Sequence, residues 1–364
     1  MKNTLSELAR GRDNNFNLLR AIAAILVLYS HSFALVVGSA DAEPLKTSLG
    51  ITWGYIAVDV FFITSGFLII GSYYSRNNVL SFTWARILRI FPGLFISVLF
   101  CAFVVGLLFT TLDKFDYLTH PQTYKFIVKN SLLFFGIEYR LPNVFTELPW
   151  SHAVNGSLWT LPHEVKMYAI LAATLVTATF ISKKIFSFQT NNLVIAITVI
   201  ALILHIINIF FPITHKSSTR LFTMFFIGCS IFIYREKIKL SSKVALIALT
   251  VTLIATLNKI AFNLIYIATI PYLIFYVAYI PKGRIRQFNK LGDYSYGLYI
   301  YAFPIQQSLI AFFPNISIYQ MIALSLIITF LFALFSWHCI EKKFLKLKIS
   351  TRKEEPSKKI NIAT

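Results

Sequence analysis

Arg20 and His31 stand eleven residues apart in the first hydrophobic run of the chain. On a helix, eleven steps of about 100° return to within about 20° of the starting direction. The two side chains therefore share one face, about 16 Å apart along the axis, or half the hydrocarbon thickness of a bilayer. Ionisable groups inside a membrane are costly, and they mark wet cavities or functional paths. A guanidinium suits phosphate or carboxylate, and an imidazole suits general-base or nucleophilic work.

Other side chains belong with this pair. His31 lies six residues from the far end of its predicted helix, Asp59 six residues below Trp53, and Glu164 seven below Ser157. At 1.5 Å per residue each is roughly 9–10 Å deep, so three helices can bring an imidazole and two carboxylates to one level. A carboxylate beside an imidazole fixes its tautomer and raises its basicity. The opposite level is basic: Arg20 is joined by Arg86 and Arg89, which share a face at i and i+3 and can grip a phosphate. The same arginines also satisfy the positive-inside rule, and a buried acid can simply link helices. Ser65 and Gly66 fall at mid-membrane, where serine lines a channel or bonds a carbonyl and glycine admits a helix or a ligand chain. His205 is alone in a hydrophobic helix and reads as a core residue, and no cluster has metal-ligand spacing.

The elements that position these groups are membrane helices. The chain is 57% hydrophobic and 13% charged, with a mean hydropathy of +0.68, and its apolar runs leave no room for a soluble domain. The expected fold is all-α and integral to the membrane. About ten transmembrane helices are predicted, near 17–37, 53–74, 86–110, 157–181, 192–212, 219–234, 243–257, 260–280, 292–312 and 317–340. Tyr124 to Ile137 is too short to span and is expected at the interface or re-entering. Counting Lys and Arg outside the spans gives 24 on the N-terminal side and 8 on the other, which makes both termini cytoplasmic. The net charge of +19 is then assigned to cytoplasmic loops and anionic lipid rather than to nucleic acid. Residues 1–345 form one transmembrane domain, followed by a basic cytoplasmic tail at 346–364. Cys101, Cys229 and Cys339 read as small core residues, not a disulfide frame.

Taken in order, these segments resemble the membrane acyltransferase 3 family, which O-acetylates cell-surface carbohydrates. The resemblance rests on Arg20 through His31, on Val58-Asp59-Val60-Phe61-Phe62-Ile63-Thr64-Ser65-Gly66-Phe67-Leu68, and on Arg86-Ile87-Leu88-Arg89-Ile90-Phe91-Pro92. It continues in Asn155-Gly156-Ser157-Leu158-Trp159-Thr160-Leu161-Pro162 with Glu164, and in Leu291-Gly292-Asp293-Tyr294-Ser295-Tyr296-Gly297-Leu298-Tyr299. Two positions depart from it: His163 where an aromatic residue is usual, and Ala302-Phe303-Pro304 where a histidine is common. The resemblance implies the stand-alone form, a bacterial inner-membrane enzyme that takes acetyl from cytoplasmic acetyl-CoA to a sugar hydroxyl of O-antigen, capsule or exopolysaccharide. It implies His31 as catalytic; the shared depth adds that His31 is base or transient acyl carrier, oriented by Asp59 or Glu164. Arg20, Arg86, Arg89 and Ser65 are expected on the donor side, and Asn155, Ser157 and Trp159 toward the acceptor. The main rival reading is a proton-coupled secondary transporter of a small polar solute, since intramembrane His, Asp and Glu also suit a carrier. Oligomeric state is not readable.

Overall fold

A computed structural model of the chain describes residues 4–11, 13–76, 78–184, 190–213 and 215–348. Most of the basic tail, together with Lys2 and Arg12 of the charge count, lies outside the described residues. Eleven helices carry the architecture. They are α1 (Phe16–Val37), α2 (Trp53–Arg76), α3 (Val79–Phe100), α4 (Pro121–Leu132), α5 (Leu161–Lys184) and α6 (Thr190–Phe210). The rest are α7 (Lys216–Ile233), α8 (Ser242–Ala255), α9 (Lys259–Tyr279), α10 (Ser295–Phe312) and α11 (Ile318–Phe335). A π-turn at Cys101–Val105 extends α3, and another at Ser336–Glu341 extends α11.

A helix stands at each of the ten predicted segments, and seven of them are long and apolar enough to cross a membrane: α1, α2, α3, α5, α6, α9 and α11. The protein is a multi-pass membrane protein. The other three have physical reasons to fall short of that pattern. Helix α10 is wrapped by protein, with all its residues but Ser308, Ala311 and Phe312 buried. It therefore carries polar groups that a lipid-facing helix could not. Gln306 donates to the Leu28 carbonyl (2.9 Å) and to Ser32 Oγ (2.7 Å) of α1, while Gln307 donates to the carbonyls of Trp150 and Ala153. Helix α8 is only 14 residues long and packs on α9.

Helix α7 is packed against α2 by two glycines. A Cβ on Gly66 would stand 2.0 Å from the Phe225 carbonyl oxygen, and one on Gly228 would stand 2.1 Å from that of Ile63. Of the two expectations for Gly66, a helix rather than a ligand chain makes the approach. Gly66→Val is therefore expected to force α2 and α7 apart. The cost should reach the upper part of the ~1–3 kcal/mol typical of overpacking, because the obstacle is backbone. Size-exclusion profiles of detergent extracts should show less monodisperse protein, whereas Ser72→Ala on the same helix should not change them.

The short apolar segment turns back alongside α3. Tyr117 donates its hydroxyl to the Ala102 carbonyl (2.7 Å), and Phe126 is fully buried. Past the left-handed Leu133, Phe134 lines a cavity with Ile90 and Phe91. That is roughly 16 Å along α3 from Ala102 at 1.5 Å per residue, so the segment runs lengthwise beside α3. The Asn130 side chain clasps the returning strand of chain, donating to the Glu138 carbonyl (2.8 Å) and accepting from its N–H (2.9 Å).

Candidate active site

Helix α1 presents its two ionisable side chains to two different cavities. The first holds about 40 Å³ and is lined by Arg20, Phe61, Ser65, Glu164 and Tyr296 among others. The second holds about 600 Å³ and is lined by His31, Glu43, Tyr55, Trp159, Arg220 and Phe303 among others. Val58 and Tyr299 line both, so these two side chains form the partition between them. Tyr299 is held in place by a hydrogen bond with Thr160 Oγ1 (2.7 Å) and by an edge contact with Phe61, ring centroids 5.8 Å apart.

His31 sits with its ring edge-on to Phe303, centroids 5.3 Å apart, and its Nδ1 has no hydrogen-bond partner. Among the described residues no carboxylate hydrogen bonds or ion-pairs with this imidazole. The grouping of Asp59 and Glu164 around His31 is thus not the one observed. Asp59 is fully buried, and a buried carboxylate needs a counter-charge. Arg220 of α7 supplies it at 2.7 Å, with Tyr266 Oη donating from α9 at 3.0 Å. The guanidinium lies over the Tyr55 ring, 3.5 Å from its centroid, and also donates to the Tyr55 carbonyl. Glu164 opens on the Arg20 cavity and accepts from Tyr168, whose hydroxyl also shares a hydrogen bond with Ser65 (2.9 Å).

The arginines are arranged differently from the expected phosphate grip. Arg20 and Arg89 converge on Asp293 Oδ2, at 3.3 and 2.5 Å, and Arg89 turns its other terminal nitrogen to Glu341 (3.1 Å). Glu341 is buried and also accepts from Ser336. Arg86 instead lines a separate cavity of about 410 Å³ with Phe82, Val165 and Tyr168. Arg20 keeps a buried Nε without a hydrogen-bond partner and lies over Phe61 at 5.7 Å.

The fourth-helix motif has a clear local cause. Proline lacks the N–H that would bond the carbonyl four residues back, so Pro304 inside α10 frees the Ile300 carbonyl. Asn155 Nδ2 (2.8 Å) and Ser97 Oγ (3.2 Å) take that place. Asn155 therefore holds the bundle at a proline, and Ser157 is buried without a hydrogen-bond partner for its hydroxyl. Of the three residues expected to meet the acceptor, only Trp159 lines the His31 cavity, with its ring edge-on to His163.

Four residues escaped the reading of the sequence: Arg220, Glu43, Asp293 and Glu341. Glu43 is buried and lines the same cavity as His31, accepting from Ser30 Oγ and from the backbone N–H of Trp53 at the start of α2. Matching each intramembrane charge with an opposite one would have pointed to Arg220, Asp293 and Glu341.

The family described as an acyltransferase domain matches residues 13–340, and the chain belongs to this membrane acyltransferase 3 family. It is an acyltransferase. Among curated proteins it is 29% identical to an O-acetyl transferase of Shigella phage Sf6 over 344 residues, covering 92% of this chain and 96% of the relative. It is also 31% identical to nodulation protein 10 of Rhizobium leguminosarum bv. viciae over 177 residues, or 47% of this chain and 46% of that one. No solved structure matches.

Proposed function

We propose that the protein moves an acetyl group from acetyl-CoA, taken up at the Arg20 cavity from the cytoplasm, to a carbohydrate hydroxyl in the His31 cavity on the far side. The observation that carries this reading is the pair of cavities, one lined by Arg20 and the other by His31 of α1, that share Val58 and Tyr299 in their walls. A thioester reaching past that partition would meet His31 and an acceptor in the roomier cavity. The Arg20 cavity, at about 40 Å³, requires Tyr299 or Phe61 to swing aside first.

His31 acts as base or as transient acyl carrier. As base it removes the proton of the acceptor hydroxyl while that oxygen attacks the acyl carbon and the carbon–sulfur bond breaks. As carrier its imidazole nitrogen bonds the acyl carbon as the carbon–sulfur bond breaks and CoA leaves as the thiolate. The acceptor oxygen then attacks that carbon, the acyl–nitrogen bond breaks, and the freed imidazole takes the hydroxyl proton. Arg20, with its unpartnered Nε, is the group offered to the donor's phosphates, and Glu164 with Tyr168 and Ser65 orders the wall opposite. Asp59 serves by holding Arg220 and α7 in place. Both termini are cytoplasmic, ten helices cross the bacterial inner membrane, and the acceptor is a cell-surface or lipid-linked glycan; the name of the phage relative, an O-acetyl transferase, supports transfer of acetyl to an oxygen.

Purified protein given acetyl-CoA and a glycan acceptor is expected to release free CoA and to leave an acetyl ester on the glycan, both read by mass spectrometry. Solute accumulation in vesicles without CoA release would make it a carrier instead and overturn this reading.

A further inference from the structure

A third cavity, of about 260 Å³, adjoins the His31 cavity and shares Tyr55, Ser217 and Arg220 with it. Its polar lining is basic and amide: His205, Asn208, Lys216, Arg220, Lys259 and Asn263, with no carboxylate among the described residues that line it. The depths are unequal. Lys216 and Lys259 are exposed at the rim, whereas His205 and Arg220 are 7% and 4% exposed on the floor.

Two floor nitrogens, His205 Nδ1 and Arg220 Nε, are buried without hydrogen-bond partners. Unsatisfied buried polar atoms are rare and costly, so each needs an explanation. Asp59 and the Tyr55 carbonyl use only one terminal nitrogen of Arg220. Among the described residues no carboxylate pairs with Lys216 or Lys259, and Lys259 donates to the Thr47 carbonyl at 3.2 Å. A basic pocket with unpaired ammonium groups on its rim and, on its floor, a spare arginine N–H and an imidazole nitrogen that can donate in one tautomer has the chemistry of an anion site.

We infer that this cavity is a subsite for an anionic group, carboxylate or phosphate, carried by the acyl acceptor, so that the acceptor is an acidic glycan. The inference rests on the proposed transfer to a carbohydrate in the adjoining His31 cavity. The anion anchors in the basic cavity and Arg220 stands at the junction. The hydroxyl to be acylated then extends toward His31. His205, which reads from the sequence as a core histidine, becomes a floor residue of the anchor.

The test uses the full-length protein in nanodiscs and follows its melting temperature with sodium glucuronate, inorganic phosphate or glucose. Glucuronate, and to a lesser extent phosphate, should raise the melting temperature while glucose does not. The Lys216→Gln/Lys259→Gln double variant, which disturbs only the rim, should lose at least ten-fold in the apparent affinity for glucuronate. His205→Asn should weaken it independently. Equal responses to glucuronate and glucose, or an unchanged response in the rim variant, would overturn the anion site. A melting temperature that rises only in nanodiscs containing phosphatidylglycerol, with no response to glucuronate, would assign the cavity to a lipid headgroup and overturn its place in acceptor binding. CoA release from acetyl-CoA is measured separately: its absence from the wild type sinks the acyl-transfer reading and leaves the binding result standing.

Discussion

His31→Ala is expected to abolish acetylation of surface glycans while the protein still inserts and folds. The fall in transfer should be about 10²–10⁴-fold if the imidazole acts as general base, and larger if it carries the acyl group. Folding should survive because His31 contributes little to the packing around it. Its ring touches Phe303 edge-on, its Nδ1 bonds to nothing, and it borders a cavity of about 600 Å³, so truncation enlarges an existing space rather than opening one in a packed core. Mass spectrometry of surface glycans, with the amount of protein in the membrane measured in parallel, checks both halves. Persistence of the acetyl ester in the variant would remove His31 from the reaction. Acid-quenched wild-type protein incubated with acetyl-CoA and no acceptor separates the two roles: an acetyl adduct absent from His31→Ala marks a carrier.

The helices were legible because hydropathy along a chain reports burial in lipid or protein, and each apolar run became a helix. Helix α10 falls short of a lipid-crossing pattern because its two buried glutamines are met by protein. Along α1 the 3.6-residue period puts Arg20 and His31 on one face, and each lines a cavity of its own. Between helices the reading was weaker, because depth says nothing about azimuth. Asp59 and His31 were assigned similar depths, yet Asp59 turns toward α7 and α9, where Arg220 and Tyr266 wait. Arg220 was hidden by its position near a helix start, where a loop count treats every arginine as solvated. Asp293 and Glu341 were obscured in the same way, one inside a glycine-rich motif and the other beside the basic residues that follow α11.

Arg89 is where these two ways of reading a charge give opposite expectations. The sequence offers it as a phosphate ligand, whereas the structure joins it to Asp293, just before α10, and to Glu341, at the end of the π-turn that extends α11. Breaking a buried pair by removing one partner costs about 3–5 kcal/mol, because the other charge is left without a counter-ion. Arg89→Met is therefore expected to cost the protein stability in that range, since Glu341 is only 2% exposed and, among the described residues, has only Ser336 left to bond it. Arg20→Met should behave differently. Arg20 makes one longer contact to Asp293 and is more exposed, so its loss should raise the KM for acetyl-CoA more than it lowers the melting temperature. Combining Arg89→Met with Glu341→Leu should recover part of the lost stability, because the stranded carboxylate is then gone. Thermal melts of the purified variants, with KM and kcat for acetyl-CoA measured alongside, test the assignment. An Arg89→Met protein that melts like the wild type and shows only a raised KM would return Arg89 to the donor's phosphates. It would also mean that the ion pairs with Asp293 and Glu341 give way when the donor binds.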